Sequence, residues 1–374
     1  MGERLNHYKV KITALSPIFI GDGKAIGKKE YIILPMEQKI IVPDMEKMYA
    51  AFRKKRQDQA YMEYMVKNDK EPFGIWLKQQ GYKTYEYEKW KKYELNTGDA
   101  FLQTKTGKAA TTKEIACFVK DPYGLPYVPG SSIKGMIRTA LLANEIHQNP
   151  KKFYSLKNKI DENARQKAGR NQCLSSETRE LETHGFHTLN RREEKVLDAV
   201  NCNLSGLIIS DSQPISLKQL TLSQKVDYTL KGEEKPLPIL REALIPGTEI
   251  LFDVTIHEEC PYTMETILAA LNYFHQICYD YFYSKFHRGT AEEGVVWLGG
   301  GVGFLSKTVL YALYEKKTVP IVDVVFKNTL GFKIYQRHKH DRDLRLNVAP
   351  HVCKCTRYHN QLYDMGMGKI EVLK

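Results

Sequence analysis

The sequence predicts an α+β fold in two domains, with helical insertions. Three observations lead there. Alternating strand patterns recur in both halves, in HYKVKITAL and in EILFDVTI. A long amphipathic helical pattern follows each, one from Ile133 and one from Met264. The 374 residues, 42% of them hydrophobic, suffice for more than one core.

Val10, Ile12 and Ala14 alternate with polar neighbours, so a first strand runs toward Pro17, where proline ends the ladder. GDGKAIGKK reads as a flexible basic loop, and YIILP with KIIVP as a hairpin. Asp44 is placed to cap the helical stretch of residues 45–93, where FRKKR reads as a solvated helix face. CFVKDPYGLPYVPG gives a strand and a turn-rich loop. Ile133, Met136, Ile137, Ala140 and Leu141 then form one buried stripe. Residues 145–200 are polar and weakly periodic, a second and partly mobile insertion. LSGLIISDSQPI returns to strand, and residues 214–240 read as a connector. REALIPGTEILFDVTI is a Pro-Gly turn and a strand. Met264, Ile267, Leu268, Leu271, Cys278, Tyr281 and Phe282 share a helix face, with Gly289 as its C-cap. VVWLGGGVGFLSKTVL is strand, glycine loop and helix, and PIVDVVF, FKIYQ and GKIEVL read as strands. Two β-α-β units of this kind have ferredoxin-like character. The division is residues 1–213, with insertions at about 45–100 and 145–200, and residues 214–374, which carry the glycine-rich loop.

The formal net charge of +12 favours a polyanionic partner, nucleic acid first. No apolar run approaches the roughly 18 residues of a spanning helix, so no membrane is expected. The N-terminal stretch has no signal-peptide core, and Asn6 breaks the myristoylation pattern. Seven scattered cysteines suit reduced thiols in a cytoplasm.

Two stretches read either as binding chemistry or as an ordinary capped helix with surface cations and a mobile glycine turn. In YVPGSSIKGMIRTALL, Ser131 or Ser132 is placed to cap a helix whose first amides, at Gly130 onward, point outward. The helix dipole favours an anion there, and Lys134 and Arg138 lie four apart on the face opposite the apolar stripe. In LGGGVGFLSKT, Gly299, Gly300, Gly301 and Gly303 permit close approach of another backbone. Gly301 to Thr308 nearly spells a Walker A loop, but Ser306 replaces its last glycine, and Asp323 alone is a poor Walker B partner. A phosphate-backbone cradle with Lys307 fits better than a nucleotide pocket. Tyr123, Tyr127 and Phe304 flank these stretches and offer stacking surfaces, or equally core packing. Asp22, or else one of the histidines, is the candidate for acid-base catalysis, and a lone Asp in a Gly turn reads first as a turn residue. His351, Cys353 and Cys355 alternate along a strand, with His359 nearby; C-x-C is a poor match to zinc spacing, so neither metal nor cofactor is expected.

Together these marks identify a family resemblance. YVPGSSIKGMIRTALL and LGGGVGF resemble the signature and the glycine-rich loop of the RAMP superfamily, the repeat-associated mysterious proteins of CRISPR systems. LSPIFIGDG, IISDS, EALIPGTEILFDVTI and YDMGMGKIEV support it in order and spacing. Length and FLSKT look most like the large RAMP subunit of the type III-A (Csm) effector complex. That resemblance implies two RRM-like domains and a non-catalytic subunit that binds CRISPR RNA (crRNA), caps the filament near the crRNA 3′ end and serves crRNA maturation. The implied partners are crRNA, backbone and small subunits of the complex, and a recruited cellular nuclease. The alternative is a metal-dependent endoribonuclease using Asp22, which stands in a stretch comparable to that of the RNA-cutting backbone subunits.

Overall fold

The computed structural model describes residues 5–67, 71–101, 113–166 and 172–373. Strand β1 (Leu5–Ala14) is followed by β2 (Gly21–Ile26) and the hairpin of β3 (Ile32–Leu34) and β4 (Lys39–Pro43). Helices α1 (Met45–Lys54), α2 (Asp58–Val66), α3 (Phe73–Gln79) and α4 (Thr84–Trp90) lead to β5 (Lys91–Asn96) and β6 (Ile115–Phe118). Next come α5 (Gly130–Gln148), α6 (Tyr154–Asn163), α7 (Ser175–Phe186), β7 (Leu207–Ile209), β8 (Leu220–Thr229), β9 (Glu234–Leu244) and β10 (Glu249–His257). After α8 (Met264–Tyr281) and β11 (Val295–Trp297) lie α9 (Leu310–Tyr314), α10 (Thr318–Leu330), α11 (Phe332–Arg337) and α12 (Asp343–Leu346). Strands β12 (Val352–Tyr358), β13 (Gln361–Asp364) and β14 (Met367–Leu373) complete the order.

The fold is α+β, built on two sheets. A five-stranded antiparallel sheet has the order β11-β14-β1-β10-β7. A nine-stranded sheet runs β2-β6-β9-β8-β5-β4-β3, with β12 on β8 and β13 on β12. Both sheets draw strands from either side of residue 213, because β1 pairs with β10 and β14 while β5 pairs with β8. Alternation explains β1 and β10: Val10, Ile12, Ala14, Ile250, Phe252, Val254 and Ile256 are buried on one core with α5 and α8. The expected stripe of α5 is buried throughout. Asp44 does cap α1, accepting from the amides of Glu46 and Lys47. The first insertion makes its own aromatic core around Phe52, which touches Tyr61, Trp76, Tyr82 and Trp90. Residues 68–70 and 167–171 of the two insertions lie outside the described residues.

Several expectations are overturned. The GDG stretch begins β2 and pairs with β6 across a register shift, so it is an irregular strand. Residues 214–240 hold most of the long hairpin of β8 and β9. The second insertion contributes α6 and α7, whose Leu156, Ile160, Leu181 and Phe186 join the main core. PIVDVVF belongs to α10 and FKIYQ to α11, both helices. Helix α8 ends at Tyr281, and His287 takes the left-handed position that closes the next short turn, so Gly289, itself at φ +75°, lies beyond that cap.

Among the ion pairs of the nine-stranded sheet, that of Lys120 with Glu242 has a wholly buried carboxylate. Glu242 on β9 is fully buried, and its carboxylate accepts from Tyr93 Oη at 2.6 Å, the Phe118 amide at 2.7 Å and Lys120 Nζ. Burial and the adjacent carboxylate push the Tyr93 phenol far up. Lys120→Met leaves that carboxylate without its counter-charge and should cost about 3–5 kcal/mol in urea unfolding. Lys152→Met, at the surface pair with Glu145, should cost within about 1 kcal/mol. Equal losses would show that Glu242 is held by its neutral donors alone.

Candidate nucleic-acid interface

The helix mouth and the glycine loop, far apart in sequence, face one cleft of about 510 Å³. Ser131, Ser132 and Gly135 of α5 line one side, and Gly299, Gly300, Ser306 and Lys307 line the other. Ile20 and Gly21, where the chain enters β2, also line it. No carboxylate is among the lining residues, and Lys307, exposed and without a side-chain partner among the described residues, is their one charge.

Both edges are built by glycine. Helix α5 begins at Gly130, with Pro129 in the capping position, so neither Ser131 nor Ser132 caps it. A Cβ on Gly130 would stand 2.3 Å from the Ile209 carbonyl oxygen. The Gly130 amide donates to Asp211 Oδ1 at 2.7 Å, so the protein supplies its own anion to the first amide. The Ser131 amide finds no acceptor among the described residues, and both serine hydroxyls are free of side-chain bonds there. Across the cleft, Gly299 has φ +86°, and a Cβ on it would stand 2.3 Å from the Phe19 carbonyl oxygen. Gly300 donates to that same carbonyl at 2.8 Å. The close approach these glycines permit is thus to the protein's own backbone.

Lys134 and Arg138 point elsewhere. Lys134 Nζ donates to the carbonyls of Leu204 at 2.9 Å and Leu207 at 2.6 Å, and desolvation lowers its pKa. Arg138 pairs with Glu182 at 2.6 Å on α7 and lies over the Phe186 ring. Phe304 packs edge-on against Phe326 in a small core with Val319, Val322 and Tyr335. Tyr127 is half-buried and off the cleft, whereas Tyr123 is 91% exposed on a turn held by the Asp121 carboxylate.

Sequence reasoning missed the cations behind the glycine loop. Arg241 on β9 stacks on Phe19, with its guanidinium desolvated and no anion or hydrogen-bond acceptor among the described residues. A Cβ on Gly301 would lie 3.3 Å from its Nη1, and one on Gly303 would lie 3.1 Å from Lys354 Cγ. Lys225 and Lys354 share a single carboxylate among the described residues, Asp227, at 3.9 and 2.9 Å, and burial first, then the nearby cations, lowers the Lys225 pKa. Among the described residues, Arg241 and Lys354 therefore lie against the glycine loop with Lys225 beside them, and Asp227 is the one carboxylate paired to these cations. Lys225 was hidden once residues 214–240 were read as a connector, and Arg241, the first residue of REALIPGTEILFDVTI, pairs across strands with Ser223.

Asp22 lines a neighbouring cavity of about 550 Å³ with Lys24, Lys92, Lys120, Asp121 and Tyr123. Its carboxylate accepts from the Lys24 amide at 2.8 Å, a local turn contact. Asp323 is buried in α10, bonded to Tyr335 and Lys327, so it serves no phosphate loop. His351, Cys353 and Cys355 do not gather as one set: His351 meets Asp343, and the two cysteines meet Asp364. No helix among the described residues is long and apolar enough to cross a membrane.

Comparison with known proteins gives one answer. The chain is 28% identical, over all of its length and 99% of theirs, to the CRISPR system Cms protein Csm5 of two Mycobacterium tuberculosis strains. It is 27% identical to Csm5 of Streptococcus thermophilus over 81% of this chain and 80% of that one. A chain in a cryo-EM structure of a type III-A Csm-crRNA-target RNA ternary complex shares the fold, with a TM-score of 0.65 at 19% identity, covering 97% and 100% of the two chains. The crystal structure of T. onnurineus Csm5 does so with a TM-score of 0.59 at 17% identity, covering 96% and 99%. The RAMP superfamily profile matches residues 11–306, and with helix mouth and glycine loop joined in one cleft the chain belongs to the RAMP superfamily.

Proposed function

We propose that this chain is a non-catalytic crRNA-binding subunit of a type III-A CRISPR-Cas effector complex, acting in the cytoplasm in antiviral defence. The observation that carries this is the carboxylate-free cleft shared by the α5 mouth and the glycine loop, backed by Arg241, Lys225 and Lys354. A guide strand must be held whatever its sequence. Amides, hydroxyls and cations hold phosphates without reading bases. Ser131, Ser132, Gly299, Gly300 and Lys307 form the grip, and Tyr123 offers a ring for a splayed base. Lys134 and Arg138 act one step back by fixing the helix that presents the serines.

The order β14-β1-β10-β7, with α5 and α8 between successive pairs, supports a ferredoxin-like (RRM-like) unit as the scaffold. Whole-length similarity to Csm5 proteins supports a place among the other Csm subunits, capping the filament near the crRNA 3′ end. Maturation of that end then falls to a recruited nuclease.

RNA copurifying with the tagged complex should be repeat-derived and of defined length; random cellular RNA would contradict the proposal. Single-stranded RNA should bind the isolated chain with a log K versus log salt slope near about −3.5 for about five phosphate contacts. Lys307→Ala should weaken binding and reduce that slope by about 0.7, and Arg241→Met with unchanged circular dichroism should reduce it by less, because Arg241 stands behind the loop. An unchanged slope in both removes the cleft from the RNA path. Lys134→Met strands two carbonyls and should cost about 1–3 kcal/mol of stability while leaving the RNA affinity of the folded protein intact. A stable Lys134→Met protein with weakened RNA binding would make Lys134 a direct contact instead.

A further inference from the structure

Two clusters of metal-ligating side chains lie together near the start of β12, and their chemistry differs. In the first, Cys353, Cys355 and Asp364 are buried with their ligating atoms within 4.8 Å of one another. There the carboxylate already has a cation: Arg288 Nε donates to Asp364 Oδ1 at 2.5 Å, and the Gly289 amide donates to Oδ2 at 3.0 Å. A metal ion would have to displace or repel that guanidinium. In the second cluster, His340, Asp343 and His351 also converge within 4.8 Å. His340 Nδ1 stands 2.9 Å from Asp343 Oδ2, and His351 Nδ1 stands 2.5 Å from Oδ1. The Asp343 side chain is wholly buried, yet no lysine or arginine pairs with it among the described residues. A buried carboxylate without a counter-charge is costly, and two imidazoles alone supply one only when protonated.

We propose that His340, Asp343 and His351 form a zinc site. Two imidazole nitrogens and one carboxylate oxygen are a donor set suited to Zn²⁺, with the fourth position left for water. His340 and His351 keep 12% and 16% of their side-chain surface exposed, which leaves an approach for the ion. In the metal-bound form each imidazole turns its Nδ1 lone pair to the ion and carries its proton on Nε2. His340 and Asp343 come from the turn that enters α12, and His351 directly precedes β12. The ion therefore ties this helical segment to the sheet. His340 packs on Phe326, which packs on Phe304 of the glycine loop, so the tie lies directly behind the cleft wall.

The test uses the full chain, stripped with a chelator and titrated with ZnCl₂ and separately with CoCl₂. About one equivalent of zinc should bind, and the melting temperature should rise with it. The cobalt form should lack a sulfur-to-metal charge-transfer band. His340→Gln and His351→Gln, each with the circular dichroism of the parent, should weaken zinc binding by about tenfold or more. No uptake by the parent chain at micromolar zinc overturns the site. Uptake with a sulfur band, or uptake retained in both variants, overturns it too, because the metal would then sit on cysteine.

Discussion

At Gly299 the backbone passes so near the Phe19 carbonyl that any β-carbon would lie 2.3 Å from its oxygen. The cleft depends on that contact. Gly300 donates to the same carbonyl, Leu298 donates to Gly366, and Gly366 donates to Pro17. Three segments distant in sequence are thus stitched where the chain leaves the five-stranded sheet for the nine-stranded one. The glycine loop is held rigidly against residues 17–19, and its far side is free to face α5. A side chain at residue 299 would push the loop outward and also strain a left-handed backbone position. The glycines build the wall first, and whatever binds there meets a wall already formed.

The excess positive charge is unevenly employed. Lys134 satisfies two carbonyls, Arg138 a glutamate, and Lys120 the buried Glu242. Each of these holds the protein together, and none faces the cleft between α5 and the glycine loop. Lys307 and Arg241 have no such partner among the described residues, and both lie at the glycine loop. Unpaired cations beside a carboxylate-free surface make a local field that net charge alone would not locate.

What could be read from residues alone was whatever has a strong period. Strands β1 and β10 and helix α5 bury the side chains their spacing marks, while α8 buries Met264, Ile267, Leu271 and Cys278 of its marked face and leaves Leu268 and Tyr281 half-buried. Short apolar runs were ambiguous: Val319, Ile321 and Val322 suit a strand as well as the buried face of α10. Pro236 and Pro238 masked β9, although its tip is exposed enough to tolerate them. The RAMP signatures located both walls of the cleft. That they face each other is a tertiary fact, and so is the inward turn of Lys134, since spacing of four fixes a helix face and not what covers it. Nothing local in sequence links His340 and Asp343 to His351 across the intervening turn.

The central claim is that the α5 mouth and the glycine loop together grip a sugar-phosphate strand. Ultraviolet crosslinking of the RNA-loaded protein, followed by mass spectrometry of the crosslinked peptides, tests it most directly. The account predicts adducts in two segments at once, residues 123–139 and 298–307, both protected from crosslinking to added free RNA. Adducts confined to the aromatic lobe of residues 45–90, with those two segments unlabelled, would contradict it.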